Sequence, residues 1–148
     1  MRLLRLFPTV VLFVALCALA QPRHAKYAYG IIRRGCAPWD GPAINLVVTP
    51  KPSDCQTDAP YLLISVYDLP IRTGKPYSIG VQGEVGTAQA SRCDKADVCD
   101  TADSGQVVFD TFKEGSSATG HYQIRLQKGG GLEGSFKLKW CNNHEMCG

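Results

Sequence analysis

Four aspartates recur at every third position of one short stretch: Asp94, Asp97, Asp100 and Asp103. Hard carboxylate oxygens gathered in a loop are what a calcium ion requires, so these four are the candidate metal ligands of the chain. Their spacing differs from that of an EF-hand loop, and Gly105 does not fall where such a loop needs its glycine. The plainer reading, adopted here, is a solvated loop whose acids cap turns and bind no metal. Trp39-Asp40, close to Cys36 and between Pro38 and Pro42, forms a second candidate. An aromatic on a stiff loop can anchor a partner, or it can cover the edge of a core, and composition weighs the two evenly.

Other chemistry fails at the level of motif. His144-Glu145 begins like a His-Glu-x-x-His zinc helix, but position 147 is Cys and position 148 is Gly. Ser65 and Ser135 lie in no Gly-x-Ser-x-Gly elbow, and no histidine and acid accompany them in a recognised order. His121 falls on the polar face of an alternating segment, where a surface histidine is the ordinary reading. No catalytic residue and no cofactor site is assigned. A small hydrolase with an unrecognised site stays open only because paired carboxylates meet through folding and have no sequence signature.

The cysteines carry more information. Seven are present, and Cys17 lies inside an apolar run near the N-terminus. The remaining six, Cys36, Cys55, Cys93, Cys99, Cys141 and Cys147, are an even set that reads as three disulfides. No Cys-x2-Cys knuckle accompanies the three histidines, which argues against zinc. Six cysteines allow 15 connectivities. Their grouping into three local pairs makes the sequential pattern, Cys36–Cys55, Cys93–Cys99 and Cys141–Cys147, the simplest expectation.

Disulfides need an oxidising compartment, and the N-terminus supplies the route. Arg2 and Arg5 precede an uncharged run from Leu6 to Ala20, which closes on the small-residue pattern Ala18-Leu19-Ala20. This is the tripartite form of a secretory signal, expected to span 1–20 and to leave residues 21–148 as one exported domain. The run is shorter than the ~20 apolar residues of a membrane-spanning helix, so no span is expected after cleavage. A lipid anchor at Cys17 would need a small residue just before it, and that position is Leu16. The expected location is secreted or periplasmic.

Without Arg2 and Arg5 the net charge falls from +3 to +1. Lys and Arg are interspersed with acids, so no nucleic-acid footprint is expected. Twenty-four Gly and Pro residues cut the chain into short pieces rich in Val, Ile, Tyr, Phe and Thr. Strands are expected near 27–33, 43–49, 61–67, 77–81, 84–90, 106–113, 118–127 and 132–141. The loop from Cys93 to Cys99 is expected to be irregular and to cross an end of the fold. The whole reads as an all-β antiparallel sandwich, or a barrel-like variant, of about eight strands.

The clearest local pattern is the last hairpin. Tyr122, Ile124 and Leu126 alternate with polar residues, as do Phe136, Leu138 and Trp140 across the Gly129-Gly130-Gly131 run. Matching the two apolar faces sets the parity, with Leu126 expected opposite Leu132 and Tyr122 opposite Phe136. Val107 to Phe112 is apolar on both faces apart from Asp110, as in an interior strand. The Gly-x-Tyr and Gly-Ser-Phe strands with the closing Trp140-Cys141 resemble many bacterial exported proteins and lipoproteins. That resemblance covers about the last forty residues and implies a β fold alone. The functional expectation is an exported, non-enzymatic domain that binds a macromolecule or serves a structural role in the envelope or extracellular space. A β-barrel holding a small apolar ligand is the alternative.

Overall fold

The computed structural model describes residues 27–80, 84, 86–142 and 147, so the expected signal segment, Cys17, His144 and Glu145 lie outside the described residues. Among the described residues eight strands form: β1 (Tyr29–Cys36), β2 (Pro42–Thr49), β3 (Tyr61–Val66), β4 (Pro76–Ile79), β5 (Thr87–Lys95), β6 (Val98–Lys113), β7 (Ser117–Leu126) and β8 (Gly131–Trp140). They close into one barrel in the order β1-β2-β3-β5-β4-β6-β7-β8, with a further β5–β6 pairing. The all-β expectation holds, in its barrel form. Two of the pairings are parallel, β1–β8 and β4–β5, and the rest are antiparallel.

β6 explains why the sheet closes instead of splitting into a sandwich. It runs for 16 residues and bulges between Ala102 and Ser104 and again between Phe109 and Thr111. Bulges sharpen strand twist and bend the sheet. The start of β6 therefore pairs with β5 through Val98–Thr101, and its middle with β4 through Gly105–Val108. Gly105 sits at the corner with φ of +140°, and a Cβ there would lie 2.3 Å from the carbonyl oxygen of Gln123. Only glycine fits that approach.

Strand alternation then fills the interior. Ile32, Ile44, Leu46, Val48, Leu62, Ile64 and Val66 point inward from β1–β3, and Tyr77, Phe109, Tyr122, Phe136 and Leu138 meet them from the other side. An eight-stranded barrel is just wide enough for its own side chains, so the lumen is a core. A chain of edge-to-face rings runs from it towards one end: Tyr77 to Phe109 (6.0 Å), Phe109 to Phe112 (5.7 Å), and Phe112 to Trp140 (6.4 Å).

Three expectations need correction. First, the segment from Cys93 to Cys99 is a β5–β6 hairpin and not an irregular end loop; Cys93 and Cys99 are cross-strand partners, and Asp97 makes the turn with φ of +62°. Second, the last hairpin keeps its parity but slips by two residues, with Ile124 opposite Leu132, Tyr122 opposite Gly134 and Gly120 opposite Phe136. The turn is tighter than the glycine run suggested, because Gly129 and Gly130, at φ of +103° and +93°, let Leu126 N–H reach the Gly130 carbonyl at 3.1 Å. Each large ring is thereby set against a glycine. Trp140, expected to be buried, is only partly so.

Third, two of the three disulfides are long-range and nested, not sequential. Cys93 pairs with Cys99 as expected, but Cys36 pairs with Cys147 and Cys55 with Cys141. The parallel seam between β1 and β8 is the cause. It sets Ile31 and Ile32 beside Lys139 and Trp140, and Cys141 N–H donates to the Ile32 carbonyl at 2.9 Å. Cys141 is thus held beside β1, and Cys147 is bonded to Cys36 at the end of that strand. Cys141 joins Ile31 and Val47 in a small cluster on the outer wall, within reach of Cys55 in the segment between β2 and β3. Three disulfides fit an oxidising environment.

Candidate functional site

Where β1 ends, β2 begins and β6 ends, the barrel opens into a pocket of about 810 Å³. Its apolar lining comes from Pro42, Ile44, Leu69, Pro70, Ile71 and Phe112, and its charged groups are Arg34, Asp40 and Glu114. Cys147 also lines it, so the Cys36–Cys147 disulfide closes part of the rim.

Each wall has a local origin. Ile44 and Phe112 are the last turns of the inward-facing pattern, and Phe112 continues the ring chain to the surface. The lip 69–71 hangs from Asp68, a buried carboxylate that accepts from Lys75 Nζ at 2.6 Å and from Arg72 Nη2 at 2.9 Å. The Lys75 hydrogen bond, reinforced by Arg72, holds the Asp68 carboxyl below the usual range against the opposing effect of burial. The Arg72 amide also donates to the Tyr77 hydroxyl at 2.7 Å, tying the lip to the core. Across the opening, Arg34 donates twice to Glu114 Oε1, at 2.9 and 2.5 Å.

The β1–β2 loop forms the remaining wall. Ala37 N–H donates to the Gly41 carbonyl at 2.7 Å and Asp40 N–H to the Ala37 carbonyl at 2.9 Å, which places Asp40 in the left-handed region at φ of +61°. Aspartate tolerates that region better than most residues. Trp39 lies edge-on to Tyr67, with ring centroids 5.3 Å apart, and remains 42 % exposed. Burial raises the Tyr67 phenol above its ordinary pKa, and its hydroxyl donates to Gln89 Oε1 at 2.5 Å. Of the pair singled out from sequence, Asp40 therefore enters the pocket while Trp39 stands beside it.

The four aspartates do not converge. A spacing of three on strands sends successive side chains to opposite faces. Asp94 pairs with Arg92 at 3.3 Å, and Asp97 sits at the hairpin tip. Asp100 is buried and accepts from Lys128 N–H at 3.1 Å, while Asp103 accepts from Ser104 Oγ at 2.8 Å. Among the described residues no three His, Cys, Asp or Glu side chains gather as metal ligands.

The outer wall holds one arrangement that sequence order hid. Ser135 is the cross-strand partner of His121, whose Nδ1 lies 3.4 Å from Asp110 Oδ1. The three types are those of a hydrolytic triad, yet His121 and Asp110 are more than half exposed, and no hydrogen bond joins Ser135 to His121. An exposed pair without a bonded nucleophile lacks the geometry for acyl transfer. Ser65 faces outward between Asn45 and Gln89 on β2 and β5, remote in register from any histidine. Sequence reasoning missed Arg34, Leu69, Pro70, Ile71, Phe112 and Glu114 because they come from three separate stretches. Comparison with protein-family models, with curated proteins and with solved structures finds no match to this chain.

Proposed function

We propose that this chain is an exported binding protein that takes a small, largely apolar ligand at the open end of its barrel. The carrying observation is the mouth itself, a concavity of about 810 Å³ with an apolar floor and a few charged groups at its rim. Small-molecule sites have that size and that balance of lining. The lumen is filled by side chains, so the ligand would rest on Ile44, Ile71 and Phe112 rather than descend into the barrel. A larger partner would have to present an apolar group of that size to the same opening. Export is supported by the three disulfides, which suit a secreted or periplasmic protein, and the purified exported form should begin at Gln21.

The test uses N-phenyl-1-naphthylamine, an uncharged probe that brightens in apolar surroundings. Titration of the mature protein should saturate at one site. The Leu69→Asp and Ile71→Asp variants should lose the signal while keeping the thermal transition, since neither side chain is fully buried. Absence of saturable binding to the folded protein, or binding indifferent to both variants, overturns the assignment.

A further inference from the structure

We infer that the mouth selects an apolar monocation, an alkyl or aryl amine or quaternary ammonium, through the carboxylate of Asp40. The inference rests on the mouth being a ligand site and concerns which ligands it admits. Among the described residues three charged side chains line the opening, and two of them, Arg34 and Glu114, are already bonded to each other. Asp40 is different. Among the described residues its carboxylate has no ion pair and no hydrogen bond to a side chain or to the backbone. The cations that follow the lip, Arg72 and Lys75, are both committed to Asp68, and neither lines the pocket.

An unpartnered carboxylate beside an apolar surface leaves a defined complement. A ligand whose body covers Leu69, Ile71 and Phe112 would carry its positive end to Asp40 and meet a carboxylate that no described side chain pairs with. An anionic end would face that same carboxylate, and would have to displace Glu114 to reach Arg34. The loop that presents Asp40 is fixed at both ends. Its turn closes on the Ala37 and Gly41 bonds, and Cys36 is bonded to Cys147. The backbone that carries Asp40 is therefore set at the rim by the fold itself.

Decyltrimethylammonium, decan-1-ol and decanoate share one tail and differ in the charge of the head. Each is added below its micellar concentration to compete with N-phenyl-1-naphthylamine on the mature protein. The ammonium should bind about fivefold more tightly than the alcohol, decanoate should bind most weakly, and added salt should shrink the gap. Asp40→Asn keeps the shape and tolerates the same backbone conformation, and it should close the gap between ammonium and alcohol. Near-ultraviolet circular dichroism confirms the fold of that variant. Equal binding of all three, tightest binding of decanoate, or an ammonium preference that survives Asp40→Asn overturns the inference and leaves the mouth as a ligand site. Failure of the uncharged probe and of all three competitors to bind overturns the site itself, and the selectivity with it.

Discussion

Asp68 shows how one side chain supports the mouth. It is 12 % exposed, and two cations converge on its Oδ2 from the same stretch of chain. The Lys75 hydrogen bond is the main cause of its depressed pKa, and Arg72 adds to it. A carboxyl depressed on folding stabilises the native state fully above its unfolded pKa, near 3.9, and that contribution is lost as pH falls through the lower folded value. Acid titration of the wild type should therefore show a loss of stability beginning below about pH 4 that the Asp68→Asn variant lacks. At neutral pH the variant should cost about 1–3 kcal/mol in urea unfolding, because the Lys75 ammonium and the Arg72 guanidinium lose their shared anionic acceptor. An unchanged acid limb would remove Asp68 from this role. At the opposite end of the barrel the Tyr122 hydroxyl donates to the Tyr27 carbonyl at 2.9 Å, and burial pushes its pKa far above the ordinary phenol value. That shift leaves the neutral phenol as the stable form, so its contribution is complete below about pH 10 and is lost only in stronger alkali.

The β7–β8 hairpin was legible at the scale of the element. Strict alternation told which side chains face inward, and Tyr122, Phe136 and Leu138 are buried while Gln123, Arg125, Lys137 and Lys139 face water. Parity follows from two hydrophobic faces that must coincide. The choice among registers of equal parity depended on the turn and on volume, which the pattern does not encode. Phe136 fits because its partner is Gly120, where a Cβ would fall 2.6 Å from the ring and 2.1 Å from the Val108 carbonyl oxygen. Phe136→Ala should cost about 3–5 kcal/mol by chemical unfolding, as a large side chain deleted from a packed core. Gly120→Ala should also destabilise the protein, by about 1–3 kcal/mol or more, through overpacking. A loss below about 1 kcal/mol for Phe136→Ala would contradict this packing.

At the scale of the molecule, the seam between β1 and β8 is the deciding feature. Among the described residues the ladder across it is short, Ile31–Lys139 and Ile32–Trp140 with a backbone bond beyond each end, and two disulfides reinforce it. Their partners are 111 and 86 residues apart, against 6 for Cys93–Cys99. On a chain-entropy account each long bridge is worth about 4–5 kcal/mol and the short one about 2 kcal/mol. Non-reducing peptide mapping should recover Cys36 linked to Cys147 and Cys55 linked to Cys141. Replacing Cys36 and Cys147 together by serine should lower the melting temperature more than the same change at Cys93 and Cys99. Recovery of a Cys36–Cys55 or Cys141–Cys147 peptide would break the seam as drawn. The first bridge also lines the mouth, so its loss should weaken binding of the apolar probe as well.

From the sequence by itself came whatever depends on neighbours along the chain. Eight short β segments, the inward and outward faces of the last hairpin, and a set of six cysteines suited to disulfides all follow from composition and period-two alternation. Trp39-Asp40 was also picked out there, as an aromatic and an acid on a proline-flanked loop. Tertiary structure alone decided barrel over sandwich, because the two bulges and the glycine corner of β6 act through curvature summed over many strands. It decided the disulfide partners, because cysteines pair by distance in space, and barrel closure brings the end of β8 and Cys141 to the first strand. It scattered the four aspartates, since their common spacing does not match a strand period. It also built the mouth, where Arg34, the 69–71 lip, Phe112 and Glu114 meet Asp40 only once the two ends of the sheet have joined.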